Sequence, residues 1–413
     1  MRQLYTLGIR LYSAGIRVAA HFGHQKARQM TRGWHTWRQA VEGIDPERPT
    51  AWFHASSLGE FEQARPVLEA YRSAHPDHQV MVTFFSPSGY EVRKNYPLAD
   101  AICYLPPDTP KNVRALLDAT RPDIAFFVKY DFWYNYLGEL RRRNVATYLF
   151  SSIFRPGQYF FKPWGKWFLR QLGLCYRHIF VQNTESRQLL KSHHIDRVSV
   201  AGDTRFDRVH QIALAAEPDA VVERFVAGAR KVLVCGSTWP PDEQLLAHVR
   251  TTSTKWFPDR IIIAPHMIDE GHLKQIESLF PDSVRYSRFD SNVPGDMHTL
   301  IIDNIGLLSK LYRYGDVAYI GGGFGVGIHN ILEAVTFGRP VVFGPNYRKF
   351  QEAKDIIALG GGYSIANEAE LADGGLRDIL THPEAYEKAS KACTQYMEQN
   401  LGSTQTILST LEK

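Results

Sequence analysis

The stretch VAYIGGGFGVGIHNILEAVTFGRP, residues 317–340, decides the fold class. Its first four residues form a short apolar run of the kind a strand buries on both faces. Glycines then make a tight turn, Ile331 to Phe337 reads as helix, and Gly338 and Pro340 stop it. Strand, glycine turn and helix together are half of a βα unit. Glycines let a backbone approach a ligand closely, and a helix N-terminus presents free N–H groups to an anion. No register supplies the dinucleotide fingerprint G-x-G-x-x-G, and there is no G-x-x-x-x-G-K-[ST], which excludes a P-loop.

The same alternation extends outward in both directions. Strand-like runs lie at Thr50–His54, Val80–Phe84, Ile124–Val128, Ala146–Leu149, Ile179–Val181 and Val198–Ala201. A second series follows at Lys231–Cys235, Arg260–Ala264, Leu300–Ile302, Val317–Ile320 and Pro340–Phe343. Short apolar runs separated by longer helical stretches predict an α/β chain with parallel sheets. The two series, with a break near Gly202–Pro218, predict two Rossmann-like domains facing each other across an interdomain cleft, with ligands at the carboxyl ends of strands. The expected divisions are a basic amphipathic segment 1–40, a first domain 41–203, a second domain 204–383, and a terminal helix 384–413 that crosses back to the first.

Composition agrees with a globular protein of more than one domain. The 413 residues are 44% hydrophobic and 22% charged, which excludes a disordered chain, a fibre or a disulfide scaffold. Cys103, Cys175, Cys235 and Cys393 are widely spaced, with no metal-ligand pattern, so a reduced protein without structural zinc is expected.

Charge is distributed unevenly. Residues 1–41 hold Arg2, Arg10, Arg17, Lys26, Arg28, Arg32 and Arg38 and no acidic residue, a charge of +7 against +5 for the whole chain. Leu4, Leu7, Leu11, Ala14 and Val18 recur at helical spacing within that segment. Arg10 and Arg17 interrupt the run, so it falls short of the roughly 18 apolar residues of a spanning helix. Two readings stay open: a helix packed on its own domain, or an interfacial helix on an anionic membrane surface. A second acid-free stretch, Ser151 to Thr184, interleaves Arg155, Lys162, Lys166 and Arg170 with Tyr159, Phe160, Phe161, Trp164, Trp167 and Phe168. Aromatic rings beside cations suit a headgroup boundary, although the mixture also stacks nucleic acid or forms a core helix with a solvated basic edge. No nucleic-acid-binding module is visible, and no nucleic-acid partner is expected.

Several polar motifs lie just after predicted strands. His54-Ala55-Ser56-Ser57-Leu58-Gly59-Glu60 places a carboxylate at a helix start, where it is suited to act as a general base. Lys129-Tyr130-Asp131-Phe132-Trp133-Tyr134-Asn135 follows another strand, and Gly202–Asp207 lies at the domain junction. In the second series come Gly236-Ser237-Thr238, Pro265-His266 and Asp303-Asn304-Ile305-Gly306. Each alone fits an ordinary turn. Together they populate one rim.

The continuation Glu333-Ala334-x-x-x-Gly338-x-Pro340 resembles the nucleotide-sugar signature of glycosyltransferases with two facing Rossmann domains, the GT-B architecture. Taken in order, the motifs resemble those of the Kdo transferases, which add 3-deoxy-D-manno-octulosonic acid (Kdo) to lipid A precursor. That family shows H-S-x-S-x-G-E against His54–Glu60, E-T-E-L-W-P-N against Lys129–Asn135, and T-G-S-x-K-F-D against Ala201–Asp207. It shows G-S-T-H-E-G-E-E against Gly236–Glu243, P-R-H-P-E-R against Pro265–Glu270, and G-G-H-N-P-L-E-A-A against Gly327–Val335. This chain departs from the pattern in having Lys129 and Asp131 for the two family glutamates, and Arg205 for a lysine. It also carries Trp239-Pro240-Pro241 for a polar turn and Ile331 for a proline.

The resemblance implies inverting transfer of Kdo from CMP-Kdo to lipid A precursor, with no metal ion and no cofactor. It implies Glu60 and Asp131 as catalytic groups. Donor contacts fall to Arg205, Ser237, Thr238, His266, Gly306, Gly323, Gly325, Gly327, His329, Asn330 and Glu333. Acceptor and membrane contacts fall to Ser57, Lys129, Arg155, Lys162, Trp164, Lys166 and Arg170, with Lys129 facing a sugar carboxylate or an acceptor phosphate. Peripheral or monotopic association with the cytoplasmic face of a bacterial inner membrane follows. Two alternatives remain: a GT-B enzyme using a UDP-sugar on a membrane lipid, and a non-catalytic lipid-binding scaffold.

Overall fold

A computed structural model of the chain describes residues 1–253, 255–289 and 297–411. They form two compact α/β units, Met1–Arg208 with Leu401–Lys413, and Val209–Asn400. The expected boundary at 203–204 lies slightly earlier; the division falls inside the helix Thr204–Leu214.

The first unit carries a seven-stranded parallel sheet: β1 Thr50–Ala55, β2 Gln79–Phe84, β3 Ala101–Tyr104, β4 Ile124–Val128, β5 Ala146–Ser152, β6 His178–Val181 and β7 Val198–Val200. Their order is β3-β2-β1-β4-β5-β6-β7. All the residues of β1 and β2 are buried, which is why they read as continuous apolar runs rather than alternating ones. The order reverses between β1 and β4, which pair directly with Ala51 opposite Ile124 and His54 opposite Phe127. Loops leaving the carboxyl ends of these two strands flank a topological switch point, where ligands of open α/β sheets bind.

The second unit repeats the plan with β8 Val232–Thr238, β9 Arg260–Pro265, β10 Ser283–Arg285, β11 Thr299–Ile301, β12 Val317–Ile320, β13 Val341–Phe343 and β14 Gly362–Ser364. The order is β10-β11-β9-β8-β12-β13-β14, with the reversal between β8 and β12. The Gly236–Thr238 and Gly321–Gly323 turns therefore lie side by side.

Residues 1–40 belong to the first unit and form two helices, Arg2–His21 and Gln25–Ala40. The second helix buries Ala27, Met30, Trp34 and Trp37. The first turns its leucine stripe outward: Leu4 and Leu11 are each 66% exposed, Leu7, Ala14 and Val18 are also exposed, and the residues it buries are Thr6 and Ser13. Packing on its own domain through the apolar stripe, one of the two open readings, is therefore not what holds it. It docks through Tyr5, edge-on to Tyr134, through Ile16, and through polar contacts. Arg2 Nε donates to Asn135 Oδ1 at 3.0 Å, Asn135 Nδ2 donates to Thr6 Oγ1 at 3.0 Å, and Tyr5 Oη donates to Asp108 Oδ2 at 2.7 Å.

The last helix-like segment is two helices. Pro383–Asn400 stays with the second unit and Ser403–Leu411 with the first. Gly402, at φ +95°, breaks them, and Asp207 accepts from the Gly402 and Thr404 amides at 2.8 and 2.6 Å. The last Asp of the Ala201–Asp207 motif thus caps the terminal helix.

Candidate active site

In the first unit the β1 and β4 loops meet around His54. This imidazole is fully buried, with Nδ1 2.8 Å from Thr83 Oγ1 and 3.1 Å from the Thr83 carbonyl. Trp133 Nε1 donates to His54 Nε2 at 2.9 Å, so the ring proton sits on Nδ1. Burial pushes the His54 pKa down to about 3, which keeps it neutral. The 3.8 Å approach of Asp131 Oδ2 to Nε2 is therefore not an ion pair near neutral pH. His54 is a structural post that orients Trp133.

Asp131 is buried beneath the same turn and accepts hydrogen bonds from the Ser56 amide at 3.2 Å and from the Ser56 hydroxyl. Burial, then the neighbouring Glu60 charge, push its carboxyl well above the usual carboxylate range; the Ser56 bonds and nearby Lys129 oppose this. Glu60 occupies the third position of the helix Leu58–Ala74, with Ser57 as its N-cap. The Ser57 hydroxyl donates to Glu60 Oε2 at 2.7 Å. Two carboxylates stand at the switch point in different settings, one buried, the other at a half-buried helix start. Lys129, the residue after β4, has φ +56°, an uncommon backbone conformation for a non-glycine residue. A cavity of about 580 Å³ opens beside Asp131, walled by Tyr5, Ile9, Trp133, Tyr159, Trp164 and Phe168 among others.

Arg205 lies in this unit. Its Nε and Nη2 each stand 2.8 Å from Asp203 Oδ2, and Asp203 also accepts from Gln63 Nε2 at 2.9 Å. Arg155, Lys162, Trp164, Lys166 and Arg170 are all exposed. The aromatic residues among them divide. Phe160 is core, packed edge-on to Phe132 and Phe154, while Trp167 and Phe168 lean on Tyr134. Tyr159 and Trp164 stay exposed and stacked on each other. The motif's interleaving mixes core positions with surface ones, because 3-10 turns place neighbours on different faces.

The second unit assembles its own set at the β8–β12 switch point. Ser237, the penultimate residue of β8, has φ +54°. Thr238 is fully buried and donates its hydroxyl to Glu243 at 2.8 Å, and Glu243 in turn meets His272 Nε2 at 2.8 Å. Trp239 stacks on His266 with ring centroids 4.5 Å apart, and His266 lies 4.6 Å from His329. Trp239 Nε1 donates to His329 Nε2 at 3.2 Å, while burial and the facing His266 lower the His329 pKa. Asp242 holds the two turns together. One of its oxygens accepts from the Trp239 and Gly322 amides at 2.9 and 3.0 Å, the other from Tyr319 Oη at 2.8 Å.

The glycines of the β12 turn serve close backbone packing. A Cβ at Gly321 would lie 2.2 Å from the Ser237 carbonyl, and one at Gly323 2.5 Å from the Gly344 amide nitrogen. Gly325 stands open, and Gly327 sits against Asn346 and Phe350. Asn330 Nδ2 donates to Glu333 Oε1 at 3.1 Å, and Asn330 Oδ1 accepts from the Leu332 amide at the start of the short helix Leu332–Val335. Gly306 lies after β11, which β9 separates from β8, so it stands on the same rim but away from the switch point. The sequence reading missed Asp242 and Trp239 as organisers; the Trp-Pro-Pro-Asp helix start, proline in the first turn and carboxylate at its third position, is the signal that marks them. Among the described residues, no three His, Cys, Asp or Glu side chains cluster as a metal site, and no helix is long and apolar enough to cross a membrane.

Two parallel Rossmann-type sheets, each with polar groups gathered at its switch point, give the chain a fold of the GT-B type. The structure of UDP-GlcNAc 2-epimerase from Neisseria meningitidis bound to UDP-GlcNAc shares the fold, with a TM-score of 0.61 at 16% identity over 88% of this chain and 99% of that one. Residues 20–208 match the family model described as 3-deoxy-D-manno-octulosonic-acid transferase (kdotransferase). The 3-deoxy-D-manno-octulosonic acid transferase of Chlamydia trachomatis serovar A is 26% identical over 397 residues, 88% of this chain and 86% of that protein. The enzyme of the same name from Aquifex aeolicus is 24% identical over 326 residues, 78% of this chain and 83% of its own. Over most of its length the chain is thus similar to proteins named as Kdo transferases.

Proposed function

We propose that this chain transfers Kdo from CMP-Kdo to a hydroxyl of the lipid A precursor disaccharide, with inversion and without a metal ion. Donor binding falls to the second unit and acceptor activation to the first. Glu60 takes the acceptor proton as the hydroxyl oxygen bonds to the anomeric carbon, and the bond from that carbon to the phosphate oxygen breaks with CMP leaving. Asp131, driven toward its neutral form, holds the Ser56 turn beside Glu60. Lys129 meets an acceptor phosphate. Asn330 and Glu333 hold the nucleotide ribose, while Ser237 and the β12 turn receive the phosphate, with His266 and His329 beside them.

One observation carries this reading: Glu60, oriented by the Ser57 hydroxyl at a helix N-terminus, stands at the switch point of the first sheet beside a second carboxylate of raised pKa. The aromatic cavity next to Asp131 fits the apolar part of a lipid acceptor. The outward stripe Leu4, Leu7, Leu11 and Val18, flanked by exposed Arg10 and Arg17, fits association with the anionic cytoplasmic face of a bacterial inner membrane. The test is the mass of the lipid product after incubation with CMP-Kdo and tetra-acylated precursor. A gain of one or more Kdo units, undiminished by excess UDP-sugar, is expected. An unchanged acceptor from folded protein, or transfer from a UDP-sugar, contradicts the assignment.

A further inference from the structure

Beside the β12 turn lies a second cavity, of about 490 Å³, lined by Gly325, Val326, Pro345, Asn346, Arg348 and Lys349. Its two walls are tied together. The Asn346 amide donates to the Gly323 carbonyl at 3.0 Å, and Asn346 Nδ2 donates to the Gly325 carbonyl at 2.7 Å. Gly323 and Gly344 meet backbone to backbone, leaving no room for a side chain at either position. The loop after β13 is thus fixed against the glycine turn, and its geometry is set before any ligand arrives. The cavity lining carries two cationic side chains and no acidic one. Among the described residues, neither Arg348 nor Lys349 has an ion-pair or hydrogen-bond partner on another side chain. Arg205, by contrast, is held by Asp203. Val326, 94% exposed, stands at the mouth of the same cavity.

We propose that Arg348 and Lys349 form a subsite for the carboxylate of the donor sugar, so that the second unit selects sugar nucleotides whose anomeric carbon bears a carboxylate. This rests on the donor reading above. In such a sugar the carboxylate and the leaving phosphate oxygen share one carbon, so a carboxylate site must adjoin the phosphate site. The cavity meets that requirement, because Gly325 and Val326 of its wall belong to the turn that receives the phosphate. Arg348 offers the planar fork that matches a carboxylate, with Lys349 as a compact second charge. A neutral hexose on a nucleoside diphosphate has nothing to place there.

The experiment is calorimetric titration of the full chain and of the double variant Arg348→Gln, Lys349→Gln with CMP-Kdo and, separately, with CMP. Both side chains are exposed, and circular dichroism checks that the variant keeps its fold. Charge-assisted bonds at an open site predict roughly a tenfold or larger loss of CMP-Kdo affinity, with CMP affinity within about twofold of wild type. Equal CMP-Kdo affinity in the two proteins overturns the subsite alone. A parallel loss for CMP and CMP-Kdo overturns it too, since the cations then serve the phosphate. A wild-type chain that binds no CMP-Kdo removes the donor reading, and the subsite with it.

Discussion

Replacing Asp108 by Asn alters how stability depends on pH, and the structure sets the size of the effect. Asp108 follows β3, is almost completely buried, and accepts from Tyr5 Oη at 2.7 Å and from the Asn135 and Tyr136 amides at 3.1 and 2.9 Å. Burial, opposed by these bonds and by Arg2, raises its pKa from 3.8 to about 6. Below pH 3.8 both folded and unfolded chains hold the proton and no linkage term exists. Between 3.8 and about 6 the unfolded chain releases it first, so this group's contribution to stability falls as pH rises and levels off above about 6. The total fall corresponds to about 3 kcal/mol. Asn cannot ionise, so the fall is absent in the variant. An amide also presents a donor where three donors converge, adding a pH-independent loss of about 1–3 kcal/mol. The Asn variant should therefore be markedly less stable than wild type near pH 4, with the gap closing or reversing by pH 7. Urea unfolding of both proteins at each pH measures this, and every other titrating group cancels in the difference. A gap that stays constant from pH 4 to pH 7 refutes the reasoning.

Two further expectations concern the surface and the second unit. Leu7→Ser with Leu11→Ser removes two exposed residues of the outward stripe, so the unfolding transition should not move, while binding to anionic vesicles should weaken roughly tenfold or more; unchanged vesicle binding contradicts an interfacial role. Trp239→Phe keeps a ring against His266 but removes the N–H that holds His329 Nε2 as an acceptor. The His329 pKa should then rise from its lowered value, still opposed by the facing His266, and the acid limb of the pH profile of kcat/KM for CMP-Kdo should move to higher pH. A profile superimposable on wild type separates His329 from the chemistry.

Much of the fold is legible in the sequence because both sheets are parallel and covered on both faces. Central strands such as Ile124–Val128 and Val317–Ile320 are apolar throughout and announce themselves. The strands that the pattern misses, Ala101–Tyr104, Ser283–Arg285 and Gly362–Ser364, are all edge strands of three or four residues. With one neighbour they need less apolar surface, and Ser283-Val284-Arg285 shows no run at all. The terminal segment reads as one helix because Gly402 alone is a weak break; Asp207, distant in sequence, makes it a firm one. At the sites, strand-end positions are readable, but the partners of a side chain are not. Thr238 reads as a pocket residue, yet its hydroxyl is taken by Glu243. Arg348 and Lys349 resemble any surface pair until the backbone and side-chain amides of Asn346, bonded to Gly323 and Gly325, set them beside the glycine turn.

The central claim is that Glu60 activates the acceptor. Its most direct test is acceptor-dependent CMP release from CMP-Kdo by wild type and by Glu60→Gln, with donor affinity measured alongside. Loss of the base should slow release roughly 10²–10⁴-fold while CMP-Kdo binding persists. Release by the variant within a few-fold of wild type would show that another group removes the acceptor proton.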